Sequence, residues 1–187
     1  MSSLNASNVW QSFKTVLFIV LVLWVILIIG FIYPIENFGI KPRTMAGLPG
    51  ILLAPFIHAG INHLVTNSIS LLILGSIFMT MERKLSFQLL LQIIIIGGFG
   101  TWLIGRSEFT HIGASGVIYG ILGYLLTMGF FIRNLKAILV SVLVFILYGG
   151  AIWGIFPTSG FISWESHLSG FIAGIITAER YATKRSR

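Results

Sequence analysis

Residues 16–33 read VLFIVLVLWVILIIGFIY, an eighteen-residue run without a single charge. About 18 or more consecutive apolar residues are enough to cross a bilayer as a helix. Runs of this kind recur along the chain. They predict helices at about 15–33, 63–81, 87–105, 113–132, 137–156 and 166–182. Each span must be helical, because lipid offers the backbone no hydrogen-bond partner. The 187 residues are 56% hydrophobic and 9% charged, against about 25% charged in an average soluble domain. The expected fold is therefore all-α, a polytopic six-helix membrane bundle. No shift in composition marks a second unit, so one membrane-embedded domain over 1–187 is expected.

The apolar run near the N-terminus is too long for a cleavable signal peptide, and no Ala-x-Ala-like site follows it. Asn5-Ala6-Ser7 matches a glycosylation sequon, expected here on the inner side. The chain has no cysteine, which removes disulfides, thiolate metal sites and a cysteine nucleophile.

Six spans place both termini on one side. Lys14, Arg83, Lys84, Arg133, Lys136, Arg180, Lys184, Arg185 and Arg187 then share that side, and only Lys41, Arg43 and Arg106 lie opposite. Lysine and arginine collect in cytoplasmic loops, so both termini are expected in the cytoplasm. The basic inner flanks suit a bacterial inner membrane. The net charge of +7 reads as topology, with the C-terminal ATKRSR against anionic lipid, and no nucleic-acid partner is expected. The connection from about Pro34 to Asn62 is long and contains the apolar text GLPGILLAPFI, which suits an interfacial segment.

Polar residues inside membrane spans are costly and mark function by default. His63 and Asn67 fall in the first turns of the second helix, Ser115 in the first turn of the fourth, and His167 at the start of the sixth. All three helices start on the outer side, so the four residues share one depth. His63 and Asn67 are four apart and share a helix face, as do Ser115 and Tyr119. Gly113, Gly116 and Gly120 keep bulk away from Ser115. Gly170 and Gly174 form a small-xxx-small pair that favours close helix contact.

A serine hydroxyl needs a base within hydrogen-bond reach to act as a nucleophile, and donors for the oxyanion that forms when it attacks a carbonyl. His167 is the candidate base. His63, Asn67 and the Ser115 N–H are candidate oxyanion donors, and Tyr119 could hold the imidazole. The sequence contains no aspartate, so the chemistry is that of a Ser/His dyad unless Glu165 assists. The nucleophile elbow of α/β-hydrolases is absent, because Val117 stands where that motif needs glycine. His111 is expected at the interface. The connection from Pro157 to Trp164, within FPTSGFISW and with its proline and glycine, reads together with the outer half of the fifth helix as a mobile gate whose apolar residues could plug the site.

HAGINHLVTN at 58–67, GASGVIYG at 113–120 and SHLSGFIAG at 166–174 together resemble the rhomboid family of intramembrane serine proteases. The resemblance runs through all six helices in order. It implies Ser115 as nucleophile, His167 as general base, and His63 and Asn67 in the oxyanion hole. Gly113 and Tyr119 would support them, and His58 matches a family histidine of less direct role. Gly75 and Glu82 match a structural pair at the inner end of the second helix. The resemblance also implies cleavage of transmembrane segments of other proteins near the outer face, without a cofactor. Two departures stand out. Ser166 replaces the usual alanine before the histidine, and Lys41-Pro42-Arg43 occupies a region where some members carry Trp-Arg.

Three other classes compete. A catalytically silent rhomboid-like binding factor would lack the dyad. A transporter is expected to show midplane charges or broken helices, but here the midplane is apolar. A haem or metal protein would have to use four histidines that share one depth and form no HExxH pair.

Overall fold

A computed structural model describes residues 5–160 and 162–185; Phe161 lies outside them, as does the final arginine of the basic tail. Among the described residues the regular structure is helical, apart from one isolated β-bridge. Six long helices follow the expected order: α1 (Ala6–Gly30), α2 (Ile61–Met81), α3 (Ser86–Ile104), α4 (Ser115–Ile132), α5 (Leu135–Ile155) and α6 (Trp164–Arg185). The first five are long and apolar enough to cross a membrane. α6 has the length, 22 residues or roughly 33 Å at 1.5 Å per residue. It is less apolar because it carries His167, Glu179 and Arg180, and it runs between α3 and α4.

α1 begins well before the expected boundary near Thr15. Asn5, the first residue of the glycosylation match, is its N-cap: its side chain accepts from the Asn8 N–H at 3.0 Å. Capping of this kind satisfies a donor that the helix cannot. Val16, Val20, Leu23 and Leu27 form the buried stripe of α1, at the spacing of one helix face. They face α2, where Gly75 leaves room for Val16. Trp24 Nε1 donates to Ser68 Oγ at 3.2 Å across the same seam. Phe18, Leu21, Val25 and Ile28 point outward, as a lipid-facing surface should.

The closest contact in the bundle is between α4 and α6, and glycine makes it possible. A methyl group on Gly170 would run into the Gly116 carbonyl, and one on Gly174 into the Gly120 carbonyl. On the other flank, a Cβ on Gly97 of α3 would sit 3.1 Å from the Gly170 Cα. Three backbones therefore meet around Gly170, which fixes the start of α6 against the start of α4.

The long first connection is ordered around a short apolar helix, Met45–Phe56, whose Ile51 packs on Gly98 of α3. Arg43 donates to the carbonyls of Leu103 and Gly105, both at 2.9 Å. A cation there caps the C-terminus of α3, where carbonyls have no helical partner. Lys41-Pro42-Arg43 thus ties this connection to α3. α5 ends differently from expectation: its α-helical part stops at Tyr148, and Gly149–Ile155 continues as a tighter 3₁₀ helix.

Candidate active site

The polar residues singled out in the sequence meet in one place. His63 and Asn67 from α2, Ser115 and Tyr119 from α4, and His167 from α6 line a single cavity of about 720 Å³. Ser115 is the first residue of α4, so its N–H is among the donors that the helix cannot satisfy internally. Gly113 lies just before it with φ +117°, a conformation that glycine adopts without strain. A Cβ there would come within 2.6 Å of the His63 ring. Gly113 therefore supports the site by leaving space, and does not line the cavity itself.

His167 is oriented on two sides. Its ring stacks on Tyr119 with centroids 4.2 Å apart and planes 11° off parallel. Its Nδ1 lies 2.9 Å from the Gly154 carbonyl. A carbonyl only accepts, so Nδ1 carries the proton and Nε2 of the neutral ring is the acceptor. The Tyr119 hydroxyl donates to the Ala151 carbonyl at 2.9 Å. Both fixing acceptors are main-chain groups of the 3₁₀ end of α5. Sequence reasoning could not name them, because every residue has a carbonyl.

Glu165 does not reach His167 by a hydrogen bond. It is fully buried and its Oε1 pairs with Arg106 Nε at 2.6 Å. His111 is also buried, at 2% exposure, and is not the interfacial residue expected. Its main chain bridges to Ile40 through two 2.9 Å hydrogen bonds, which pulls the ring inward. Burial holds its pKa below the ordinary histidine value, the opposing influences being weaker. Asn67 is buried, and its Nδ2 has no hydrogen-bond partner among the described residues. An unpaired buried donor beside a cavity is costly and suits a group whose partner arrives with a ligand.

His58 supports the loop before Ser115. Its Nε2 accepts the Ala114 N–H at 3.3 Å, and its ring meets His63 edge-on at 5.1 Å. Burial first, then the neighbouring His63, lower its pKa from 6.5 to about 4. The unfolded chain then binds this proton more readily than the folded one. Stability from this group is full above pH 6.5 and is lost as pH falls towards 4. The gap corresponds to about 3 kcal/mol. His58→Gln should flatten the fall in melting temperature between pH 6.5 and 4 in detergent; an unchanged slope would contradict this.

The rhomboid domain model matches residues 45–183. The chain belongs to the rhomboid family. An uncharacterized protein of Mycobacterium tuberculosis, Rv1337, is 42% identical over 149 residues, 75% of this chain and 62% of that protein. A Bacillus subtilis protein named "Putative rhomboid protease YdcA" is 31% identical over 138 residues, covering 73% of this chain and 69% of its own. RHOMBOID-like protein 4 of Arabidopsis thaliana is 29% identical over 133 residues, 67% of this chain and 32% of that one. The chain spans about 60% of the length of the mycobacterial relatives it matches. The rhomboid bundle is an integral membrane fold, and membership suggests intramembrane proteolysis or a rhomboid-like function.

Proposed function

We propose that this rhomboid is an intramembrane serine endopeptidase acting on transmembrane segments of other proteins through a Ser115–His167 dyad. One observation carries the reading: five polar side chains from three helices of a greasy bundle converge on one cavity. The tautomer set by Gly154 leaves His167 Nε2 free to take a proton.

In this mechanism Ser115 Oγ attacks the scissile carbonyl carbon while its proton passes to His167 Nε2. The oxyanion is held by Asn67 Nδ2, His63 and the Ser115 N–H. Collapse returns the proton to the departing amine. Water then attacks the acyl-enzyme with His167 again as base, and Ser115 regains its proton. The cycle needs no metal or cofactor. Tyr119 keeps the imidazole in plane, and Gly113 keeps the His63 side of the site clear.

The chain works in this account as one unit over 1–187, in a bacterial inner membrane, with both termini in the cytoplasm. Cleavage then falls near the outer face, and the partners are membrane lipid and transmembrane substrates. The test is cleavage of a model transmembrane substrate in proteoliposomes. Wild type should cleave and Ser115→Ala should not. Equal cleavage by both would refute the reading. Wild-type protein that binds the substrate without cutting it would favour the catalytically silent alternative.

Asn67 is expected to give a graded loss. Removing one oxyanion-hole donor costs about 10²–10³ in turnover. Asn67→Ala should fall in that range while Ser115 remains reactive. Unchanged turnover in folded protein would remove Asn67 from the oxyanion hole.

A further inference from the structure

The described structure assigns Arg106 a positioning role: we propose that it fixes the first turn of α6, and through it His167, relative to the start of α4. The inference rests on the protease reading above and adds to it a residue that does not touch the reacting atoms.

Arg106 lies one residue past the Gly105 cap of α3 and reaches α6 by two routes. Its side chain forms the first. Nε donates to Glu165 Oε1 at 2.6 Å, Nη1 to the Gly160 carbonyl at 3.2 Å and Nη2 to the Ile162 carbonyl at 2.7 Å. Its own main-chain N–H adds a 3.3 Å bond to the same carboxylate oxygen. The second route starts at its carbonyl. His111 Nε2 lies 3.2 Å from the Arg106 carbonyl, His111 Nδ1 2.5 Å from Ser163 Oγ, and Ser163 Oγ 2.7 Å from Ser166 Oγ.

The directions along this second route can be deduced. The Arg106 carbonyl only accepts, so His111 donates from Nε2 and its Nδ1 must accept from the Ser163 hydroxyl. Ser163 then accepts from Ser166. The chain requires a neutral His111, which its burial favours. It also gives Ser166, the hydroxyl in place of the usual alanine, a defined partner.

Residue 106 is thus tied to Gly160, Ile162, Ser163, Glu165 and, through Ser163, Ser166. The last of these immediately precedes His167. Glu165 is fully buried and its second oxygen has no partner among the described residues. Arg106 is the cation that pairs with this carboxylate, and removing it alone would leave a buried, unpaired charge. A planar guanidinium can hold a carboxylate and two carbonyls in a fixed fork; a lysine ammonium at the same place supplies charge without that geometry.

That difference gives the experiment. Arg106→Lys keeps Glu165 neutralised but loses the fork. Turnover of the model substrate is measured in proteoliposomes well below the melting temperature of each protein. Arg106→Lys should lose about tenfold or more in kcat with KM little changed, because misplacing a catalytic group by about an ångström costs up to about 10² in rate. The double variant Arg106→Gln/Glu165→Gln removes both charges, covers the case in which the lysine variant does not fold, and should show the same kcat loss. Ser166→Ala breaks only the second route and should lose severalfold. Wild-type kcat in folded Arg106→Lys, or in the folded double variant, would overturn the proposal. So would a loss confined to KM. If wild type itself neither cleaves the substrate nor is labelled at Ser115 by a fluorophosphonate probe, the protease reading fails and the proposal falls with it. Active wild type with unaffected variants defeats the positioning claim alone.

Discussion

Replacing Gly170 with alanine is expected to lower the melting temperature, although helix propensity alone predicts the reverse. Alanine is favoured over glycine in a helix interior by about 1 kcal/mol. At Gly170, however, the added methyl runs into the Gly116 carbonyl. Backbone cannot rotate away as a side chain can, so α4 and α6 must separate. Overpacking of a tight interior typically costs 1–3 kcal/mol, and here a backbone contact puts the expected cost at the upper end or beyond. Gly170→Val should be worse, approaching loss of the folded bundle, given that whole domains are stable by only about 5–15 kcal/mol. Gly150 serves as the control, because a Cβ there meets nothing within 4 Å. Thermal unfolding in detergent should rank Gly150→Ala with wild type, then Gly170→Ala, then Gly170→Val. A Gly170→Ala protein at least as stable as wild type would contradict the packing account.

The largest catalytic effects should come from the dyad, and they should not add. Ser115→Ala leaves no hydroxyl to attack the carbonyl. His167→Ala leaves the hydroxyl with no acceptor for its proton. In a soluble serine protease, loss of either group alone costs on the order of 10⁶ in kcat, about as much as loss of both. Ser115→Ala, His167→Ala and the double variant should therefore fall to one common floor. Ser115→Ala should unfold near wild type, since the cavity wall there can lose an oxygen without repacking; His167→Ala also loses the stack on Tyr119 and the bond to the Gly154 carbonyl, so its turnover is measured well below its own melting temperature. The measurement is single-turnover cleavage of a transmembrane substrate. A double variant far below either single one would mean that the two residues act independently, which a dyad does not allow.

Much of the architecture could be read from the chain because lipid leaves so few choices. An uncharged run of eighteen residues has to be a helix, and helix order then fixes which polar residues share a depth. That argument placed His63, Asn67, Ser115 and His167 together, and the cavity holds all four. The helix ends were less legible. The polar text around Asn8 and Gln11 gave no span signal, yet both side chains accept from Arg83 at the α2–α3 turn, and the helix continues through them. The acceptors that orient His167 and Tyr119 are main-chain carbonyls of α5, invisible to any reading of side chains. Arg106 looked like a topology charge on the minority side, and His111 like an interfacial residue. What gave them another role was the return of the chain through Ser163 and Glu165, a contact across more than fifty residues. The gate expected from FPTSGFISW turned partly on Phe161, which lies outside the described residues; Ile162 and Ser163 beside it line the cavity.

The central claim is that Ser115 is a nucleophile activated by His167. A fluorophosphonate probe tests it without any knowledge of the natural substrate. Attack by Ser115 Oγ forms an oxygen–phosphorus bond, expels fluoride and passes the serine proton to His167. Purified wild-type protein is treated with the probe, and the adduct is located by mass spectrometry of its peptides. The account predicts a single adduct on Ser115, absent in Ser115→Ala and nearly absent in His167→Ala. Labelling of another residue, equal labelling in His167→Ala, or no labelling of well-folded wild type would contradict it.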